Sequence, residues 1–228
     1  MAQHHHLAIY HAGWKKLRKL QTKKGDYRNF QFDVLVANPP FAGDIKQADM
    51  LAPYDLAHKV NKDGSLGRVE GAVGRDLLFI ERNLDFLKPG GRMAMVMPQG
   101  RFNNSSDQRV REFIAERCRI LAVVGLLPNT FKPHTGTRTS VIFVQKWNND
   151  PKAGPLCQTT DNYEIFFATQ RKQSKDTSGE KLIALGIDGK LLRDTHGHWV
   201  VQHDFYSHDG LADAGIAEAF AEFAKRKN

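Results

Sequence analysis

The residues whose types and spacing best suit a chemical role are Asn38, Pro39, Pro40 and Phe41, which follow the apolar run FDVLVA. Proline has no N–H, so the carbonyl groups of this turn are not easily drawn into a regular β-ladder. The two prolines leave the Asn38 side-chain oxygen and the Pro39 carbonyl free to accept hydrogen bonds. Phe41 adds a flat apolar face beside them. A primary amine on a planar ring would satisfy all three groups together.

Adenine carries such an amine, which is a weak nucleophile because its lone pair is delocalised into the ring. Two acceptors that hold both amine hydrogens favour a pyramidal nitrogen and stabilise the positive charge that develops as it attacks a methyl group. No general base is required. A base in a duplex must leave the stack to reach such a pocket, and stacking on Phe41 would return about 1–3 kcal/mol. Asn-Pro-Pro is also a common surface turn, so its role depends on the elements that position it.

These elements predict a layered α/β domain. Residues 32–37 form a nearly continuous apolar run, which indicates a central parallel strand that is buried on both faces and ends at the ligand-binding edge of the sheet. Further apolar runs predict strands at 93–97, 120–127 and 139–147. We expect the strands near 32–37, 92–97 and 120–127 to be parallel neighbours, with 139–147 antiparallel to the last of them.

Helical spacing of Leu77, Ile80, Leu84 and Leu87 predicts a helix that ends before Pro89-Gly90-Gly91. A second helix is predicted to start at Ser105 or Ser106 as N-cap, with Asp107 in its first turn. Other expected features are a long loop over residues 42–74, a strand at 163–168, a turn at Asp188-Gly189, and a closing helix with Ile216, Phe220 and Phe223 on one face. The predicted segments are therefore a basic leader (1–31), a catalytic segment (32–147) and an extension (148–228).

Composition narrows the class of partner. The formal net charge of +8 favours an anionic partner, of which nucleic acid is the commonest. The basic residues are densest between residues 15 and 28, which predicts either a solvated leader or a phosphate-contacting face. No apolar stretch is long enough to cross a membrane. Cys118 and Cys157 have no metal-like spacing and predict free thiols in a reducing cytoplasm.

Four segments resemble known methyltransferases. Residues 32–41 (FDVLVANPPF) resemble the fourth motif of N6-adenine methyltransferases, and residues 87–98 (LKPGGRMAMVMP) resemble the fifth strand of class I methyltransferases. Residues 75–79 (RDLLF) and 129–141 (NTFKPHTGTRTSV) are similar to the methylation subunit of type I restriction-modification enzymes. The chain is thus identified as similar to the C-terminal part of that subunit's catalytic domain.

This resemblance implies a partial class I S-adenosylmethionine-dependent methyltransferase sheet, Rossmann-like, with helices on both faces. It implies that Asn38 and Pro39 hold the adenine amine, that Phe41 stacks on the base, and that S-adenosylmethionine donates the methyl group. Asn38 would then also adjoin the cofactor. The implied partners are double-stranded DNA and the specificity and restriction subunits of a type I complex.

The chain departs from the family pattern upstream of Asn38. The glycine-rich first motif that cradles the cofactor should precede Asn38, as should the acidic residue that holds the ribose, but Gly13 and Gly25 are isolated. We therefore expect that the chain is a fragment of a longer subunit, or that a second chain supplies the missing cofactor-binding half. In either case we expect the isolated chain to be inactive.

Several other residues are candidates for weaker roles. Five polar side chains near the expected active edge are candidate DNA contacts: Arg101, Asn103, His134, Thr137 and Arg138. The histidines at 196, 198, 203 and 208 fit no standard metal spacing, so no metal is expected. Two alternatives stay open. One is a catalytically inactive DNA-binding or assembly module, and the other is a methyltransferase that acts on a protein glutamine or on RNA.

Overall fold

The computed structural model describes residues 31–207 and 215–226. The basic residues at 15–28 and His208 lie outside the described residues. The strands are β1 (Phe32–Ala37), β2 (Asp44–Ile45), β3 (His58–Val60), β4 (Leu66–Val69), β5 (Val73–Gly74), β6 (Leu87–Pro98), β7 (Cys118–Gly125), β8 (Thr139–Lys146) and β9 (Phe166–Thr169). The helices are α1 (Ala48–Leu51), α2 (Arg75–Phe86), α3 (Gly100–Asn103), α4 (Gln108–Arg117) and α5 (Ile216–Lys225).

The main sheet has five strands in the order β1-β6-β8-β7-β9. β1 is parallel to β6 and β7 is parallel to β9, whereas β8 is antiparallel to both of its neighbours. The predicted antiparallel pairing of 139–147 with 120–127 is confirmed. The predicted adjacency of 92–97 and 120–127 is wrong, because β8 lies between them. Alternate residues of β8 (Ser140, Ile142, Val144) are buried, which is the pattern of a strand with one face packed on the core.

Helices α2 and α4 cover one face of this sheet. Ile80 and Leu84 of α2 and Ile114 of α4 pack with the three buried methionines of β6 in the principal core. The fold is therefore α/β, as predicted, with its main core on the side of α2 and α4.

Cys118 and Cys157 are both free and buried, and burial raises the pKa of Cys118 to about 12, so its thiol is unreactive at neutral pH.

β1 is less buried than the sequence suggests. It is the terminal strand of the described sheet, and on the face away from α2 its side chains Val34 and Val36 are 67% and 80% exposed. The expectation of a strand buried on both faces is therefore wrong for the described residues. Among residues 31–207 and 215–226, β1 has one hydrogen-bonded neighbour, so these residues do not supply the covering that its apolar composition predicts.

Residues 42–74 form small elements rather than the predicted long loop. β2 pairs with β5 and β3 pairs with β4, and α1 contributes to a second core built from Leu51, Ala57, Val73 and Leu78. The buried Glu81 carboxylate of α2 accepts the backbone N–H groups of Asp55 and Leu56 at 2.8 and 2.9 Å. Burial raises the pKa of Glu81 in spite of these bonds. Long-range contacts of this kind leave no periodic signature in the sequence.

The extension is built from turns and joins the main sheet. β9 starts later than predicted, at Phe166, and the predicted turn at Gly189 is confirmed by its φ of +74°. Helix α5 packs as predicted, with the rings of Phe220 and Phe223 each 5.5 Å from that of Phe166. The main sheet thus continues beyond residue 147, and the division into three segments stays a prediction. No helix in the described ranges is long and apolar enough to span a membrane.

Candidate target-base site

The sheet topology brings three loops to one edge. Ala37 at the end of β1 lies beside Met95, Pro98 at the end of β6 pairs with Thr139, and Gly125 at the end of β7 pairs with Ser140. The carboxyl ends of β1, β6 and β7 and the amino end of β8 therefore share an edge. The segments that start there are residues 38–41, helix α3 and the loop 126–138.

Residues 38–41 are held at both ends. β1 fixes the start, and at the other end the Gly43 carbonyl accepts the Arg75 N–H at 3.0 Å while β2 pairs with β5. Gly43 has a φ of +95°, and a Cβ there would lie 3.1 Å from the Arg75 guanidinium carbon, so a side chain would be strained and crowded. Between these anchors Asn38 and Pro40 are exposed, Phe41 is half-buried and Pro39 is buried. In the described part of the chain the Asn38 amide has no hydrogen-bond partner.

Phe131 is a second aromatic residue of the site, and no local pattern in the sequence distinguishes it from the other residues of its loop. Its ring lies 5.5 Å from that of Phe41, at an interplanar angle of 76°. Ring pairs in this edge-to-face geometry are favourable. The resemblance of residues 129–141 to the type I methylation subunit indicates a role for this loop as a whole, but it does not distinguish Phe131 within it. Only the fold shows that this loop meets residues 38–41.

Arg101 was predicted to contact DNA, but its guanidinium is engaged within the protein. It donates from Nε to Asp76 Oδ2 at 2.7 Å, from Nη2 to Asp76 Oδ1 at 3.0 Å and from Nη1 to Asp107 Oδ1 at 2.6 Å. Burial alone would lower the pKa of Arg101, but the hydrogen bonds to the two carboxylates outweigh it and raise that pKa. A side chain with this set of partners ties α3 to α2 and α4, which argues against a phosphate contact.

The same ion pairs explain why the second helix starts differently from the prediction. Residues 105–107 form a 3-10 turn, and α4 begins at Gln108 without a side-chain cap. Asp107 occupies the N-cap position, but its carboxylate is bound to Arg101 instead. The predicted caps Ser105 and Ser106 are both exposed.

The other four predicted DNA contacts lie at the active edge and are exposed: Asn103, His134, Thr137 and Arg138. The Arg138 carbonyl accepts the Gln99 N–H at 2.9 Å, which places the loop 126–138 against the start of α3. Thr137 is engaged by Thr135, whose hydroxyl accepts the Thr137 N–H. These positions are compatible with DNA contact, which stays a prediction.

Binding sites for a metal ion and for a cofactor each need a particular set of side chains. No group of three or more His, Cys, Asp or Glu side chains within 31–207 and 215–226 is arranged to hold a metal ion. A methyl-donor cofactor needs polar groups beside the strand that ends at Asn38. β1 is terminal in the described sheet, and no glycine-rich strand-to-helix turn adjoins it within those ranges. The described residues therefore do not fit a complete cofactor site.

Comparison with known proteins gives the family. The profile of the N-6 DNA Methylase family matches residues 5–203. The chain is 27% identical over 118 residues to the Escherichia coli type I restriction enzyme EcoEI methylase subunit, covering 51% of this chain and 21% of that protein. It is 26% identical over 125 residues to the Escherichia coli type II restriction enzyme and methyltransferase RM.Eco57I, covering 55% of this chain and 12% of that protein.

Among solved structures, the type I restriction-modification methyltransferase subunit from Streptococcus thermophilus is 22% identical, with a TM-score of 0.42 over 57% of this chain and 27% of that one. The chain thus spans a small part of the length of the proteins that it matches. The family match itself runs through β1, the residues 38–41, α2, β6 and the Phe131 loop. The chain belongs to the N-6 DNA Methylase family.

Proposed function

We propose that this chain forms the target-base pocket of a DNA adenine-N6 methyltransferase of a type I restriction-modification system. The observation that carries the proposal is the contact between the rings of Phe131 and Phe41, the latter in the same turn as an exposed Asn38 that has no hydrogen-bond partner among the described residues. Two acceptors and two aromatic rings at the active edge of an α/β sheet suit a flipped adenine. The family match and the EcoEI relative support this choice of substrate.

In this proposal each residue has a separate task. The Asn38 side-chain oxygen and the Pro39 carbonyl accept the two hydrogens of the adenine amine. These acceptors act most strongly as positive charge develops on the nitrogen, so they lower the barrier of the chemical step. Phe41 offers its face to the base, and Phe131 supports the Phe41 ring through their edge-to-face contact. The two rings favour capture of the base once it has left the duplex.

S-adenosylmethionine supplies the methyl group when it is bound. We propose that groups beyond the described residues form most of its site, either in a longer subunit or in another chain, with Asn38 adjoining it. The proposed partners are double-stranded DNA and the specificity and restriction subunits. The exposed Asn103, His134, Thr137 and Arg138 are proposed contacts to the target strand.

The experiment that tests this proposal compares substrates in one assay. The full-length enzyme that carries these residues is incubated with labelled S-adenosylmethionine and with duplex DNA, RNA or a glutamine-containing peptide. Hydrolysis of the product to nucleosides or amino acids identifies the methylated atom. We expect N6-methyladenine from DNA alone. Methylated glutamine or RNA would replace the proposed substrate, and no product from any substrate would favour the assembly module.

The aromatic pair gives a prediction of its own. Replacing Phe41 with Ala is expected to raise the apparent KM for DNA about tenfold or more, because lost stacking of about 1–3 kcal/mol weakens capture of the flipped base. The single-turnover rate at saturating DNA should fall much less. The control is Phe167→Ala, which removes an exposed ring of β9 that contacts neither Phe41 nor Phe131. An unchanged KM in the Phe41 variant would contradict the stacking role.

A further prediction concerns the cofactor. The isolated chain is expected to bind S-adenosylmethionine weakly or not at all, because the glycine loop and the ribose-binding acid of the family pattern do not precede Asn38. Isothermal titration calorimetry on the purified chain measures this directly. Micromolar affinity would mean that the cofactor site is built differently from the site that the family pattern implies.

A further inference from the structure

We infer that Gln170 is a positioning residue that holds Phe131 against Phe41, and that it acts from the extension on the base pocket. This inference rests on the proposed function. Gln170 follows β9 directly, and its N–H donates to the Gly125 carbonyl at 2.9 Å, so it lies at the same edge of the sheet as the pocket. It is 1% exposed, which is unusual for an uncharged polar side chain unless all of its hydrogen-bonding groups are used.

The Gln170 side-chain oxygen binds the loop that carries Phe131, and the amide nitrogen binds the extension itself. Its Oε1 accepts the Leu127 N–H at 3.1 Å and lies 3.3 Å from the Thr130 hydroxyl, while its Nε2 donates to the Lys172 carbonyl at 2.9 Å. The Thr130 hydroxyl also lies 2.7 Å from the Leu127 carbonyl, so its single proton is shared between two acceptors. Gln170, Leu127 and Thr130 therefore form one hydrogen-bonded network, in which Gln170 is buried and the other two residues are half-buried.

Phe131 is held from its other side by the same extension. Lys175 donates from Nζ to the Lys132 carbonyl at 2.7 Å. Gly179, with a φ of +100°, lies so close to the loop that a Cβ there would be 2.8 Å from the Pro133 nitrogen. The neighbours of Phe131 on both sides are thus fixed by residues after 169, whereas Phe131 itself contacts Phe41. This arrangement gives the extension a direct effect on the pocket.

The test replaces Gln170 with Leu, which keeps the volume and removes the acceptor and donor. We expect the apparent KM for DNA to rise about tenfold, because the Leu127 N–H and the Thr130 hydroxyl lose the Gln170 oxygen as their acceptor, with little change in kcat. Hydrogen exchange at the Leu127 amide of the purified chain should accelerate by a similar factor. The matched control is Gln145→Leu, which removes a bond to the Gly90 carbonyl at the opposite edge of the sheet. It should leave KM unchanged.

A double-mutant cycle separates positioning from general stability. In a Phe131→Ala background, Gln170→Leu should change KM by less than about twofold, because a residue that acts through Phe131 has nothing left to position. Equal effects of Gln170→Leu in both backgrounds would overturn the inference and leave the proposed function intact. An unchanged KM for Phe131→Ala alone would overturn both.

A second pair of variants covers the case in which Gln170→Leu does not fold. Thr130→Val removes the hydroxyl of the network and keeps the side-chain shape, whereas Thr130→Ser keeps the hydroxyl. We expect the apparent KM for DNA to rise in the Thr130→Val variant and to stay close to the native value in the Thr130→Ser variant. Equal KM values for Val, Ser and Thr at this position would contradict the role of the network.

Discussion

Replacing Asn38 with Ala in the full-length enzyme is expected to lower the single-turnover rate of methylation about a hundred- to a thousandfold. The amide oxygen acts on the amine as positive charge develops, so its loss falls on the chemical step. By analogy with the removal of one preorganised polar group from an active site, the barrier rises by about 3–4 kcal/mol. The measurement is methyl transfer in a single turnover, with saturating DNA and cofactor.

DNA affinity should be nearly unchanged in this variant. Contacts to phosphates come from basic residues elsewhere, so the salt dependence of binding should be retained. Asn38 is exposed and its amide has no partner in the described part of the chain, so the free energy of unfolding should change little. The effect of Asn38→Ala thus differs in kind from that of Phe41→Ala, which falls on KM.

A matched control is Asn162→Ala. Asn162 is also exposed, but it precedes β9 and lies at the opposite edge of the sheet from Gln170 and Asn38. The enzyme with Asn162→Ala should methylate DNA at the normal single-turnover rate. Near-normal turnover of the Asn38 variant would mean that residues 38–41 are only a structural turn.

Local patterns in the sequence were sufficient for most of the elements. The apolar run before Asn38 corresponds to β1, and the helical spacing from Leu77 to Leu84 corresponds to α2, whereas the predicted turn at Pro89-Gly90-Gly91 lies within β6. These signals are local, because periodicity and turn residues act within one element. The position of residues 38–41 at the carboxyl end of a parallel strand followed from the same local reading.

Long-range pairing was not predictable in the same way. The insertion of β8 between β6 and β7 depends on which strand edges remain free, and this is decided by the whole sheet rather than by residues 139–146. The contact between Phe41 and Phe131 joins residues that are far apart in the chain. The small ladders of residues 42–74 are equally invisible in the sequence, since two-residue strands have no periodicity.

Arg101 shows that the charge and sequence position of a residue are not enough to predict which groups it binds. A basic residue after a strand at the active edge is a reasonable candidate for a phosphate contact, and its sequence neighbours do not reveal its partners. Asp76 comes from α2 and Asp107 from the turn before α4, and they are only 3% and 8% exposed. In the fold, Arg101 is an internal cross-link between α2 and the turn before α4, and its contact with DNA stays a prediction.

Replacing Arg101 with Met is accordingly expected to destabilise the chain by about 3–5 kcal/mol, because it leaves two buried carboxylates without a compensating charge. Urea-induced unfolding of the purified chain measures the loss. The control is Lys88→Met, which breaks an equally short pair, 2.8 Å from Lys88 Nζ to Asp33 Oδ1, between side chains that are 38% and 74% exposed. That variant should lose no more than about 1 kcal/mol.

A triple variant isolates the cause of the loss. Combining Arg101→Met with Asp76→Asn and Asp107→Asn removes the uncompensated charges, so it should recover part of the stability that Arg101→Met loses. A phosphate contact gives the opposite pattern. In that case Arg101→Met would leave the free energy of unfolding unchanged and would lower the salt slope of DNA binding by about one. The two measurements together decide whether Arg101 cross-links the scaffold of the pocket or binds the DNA backbone.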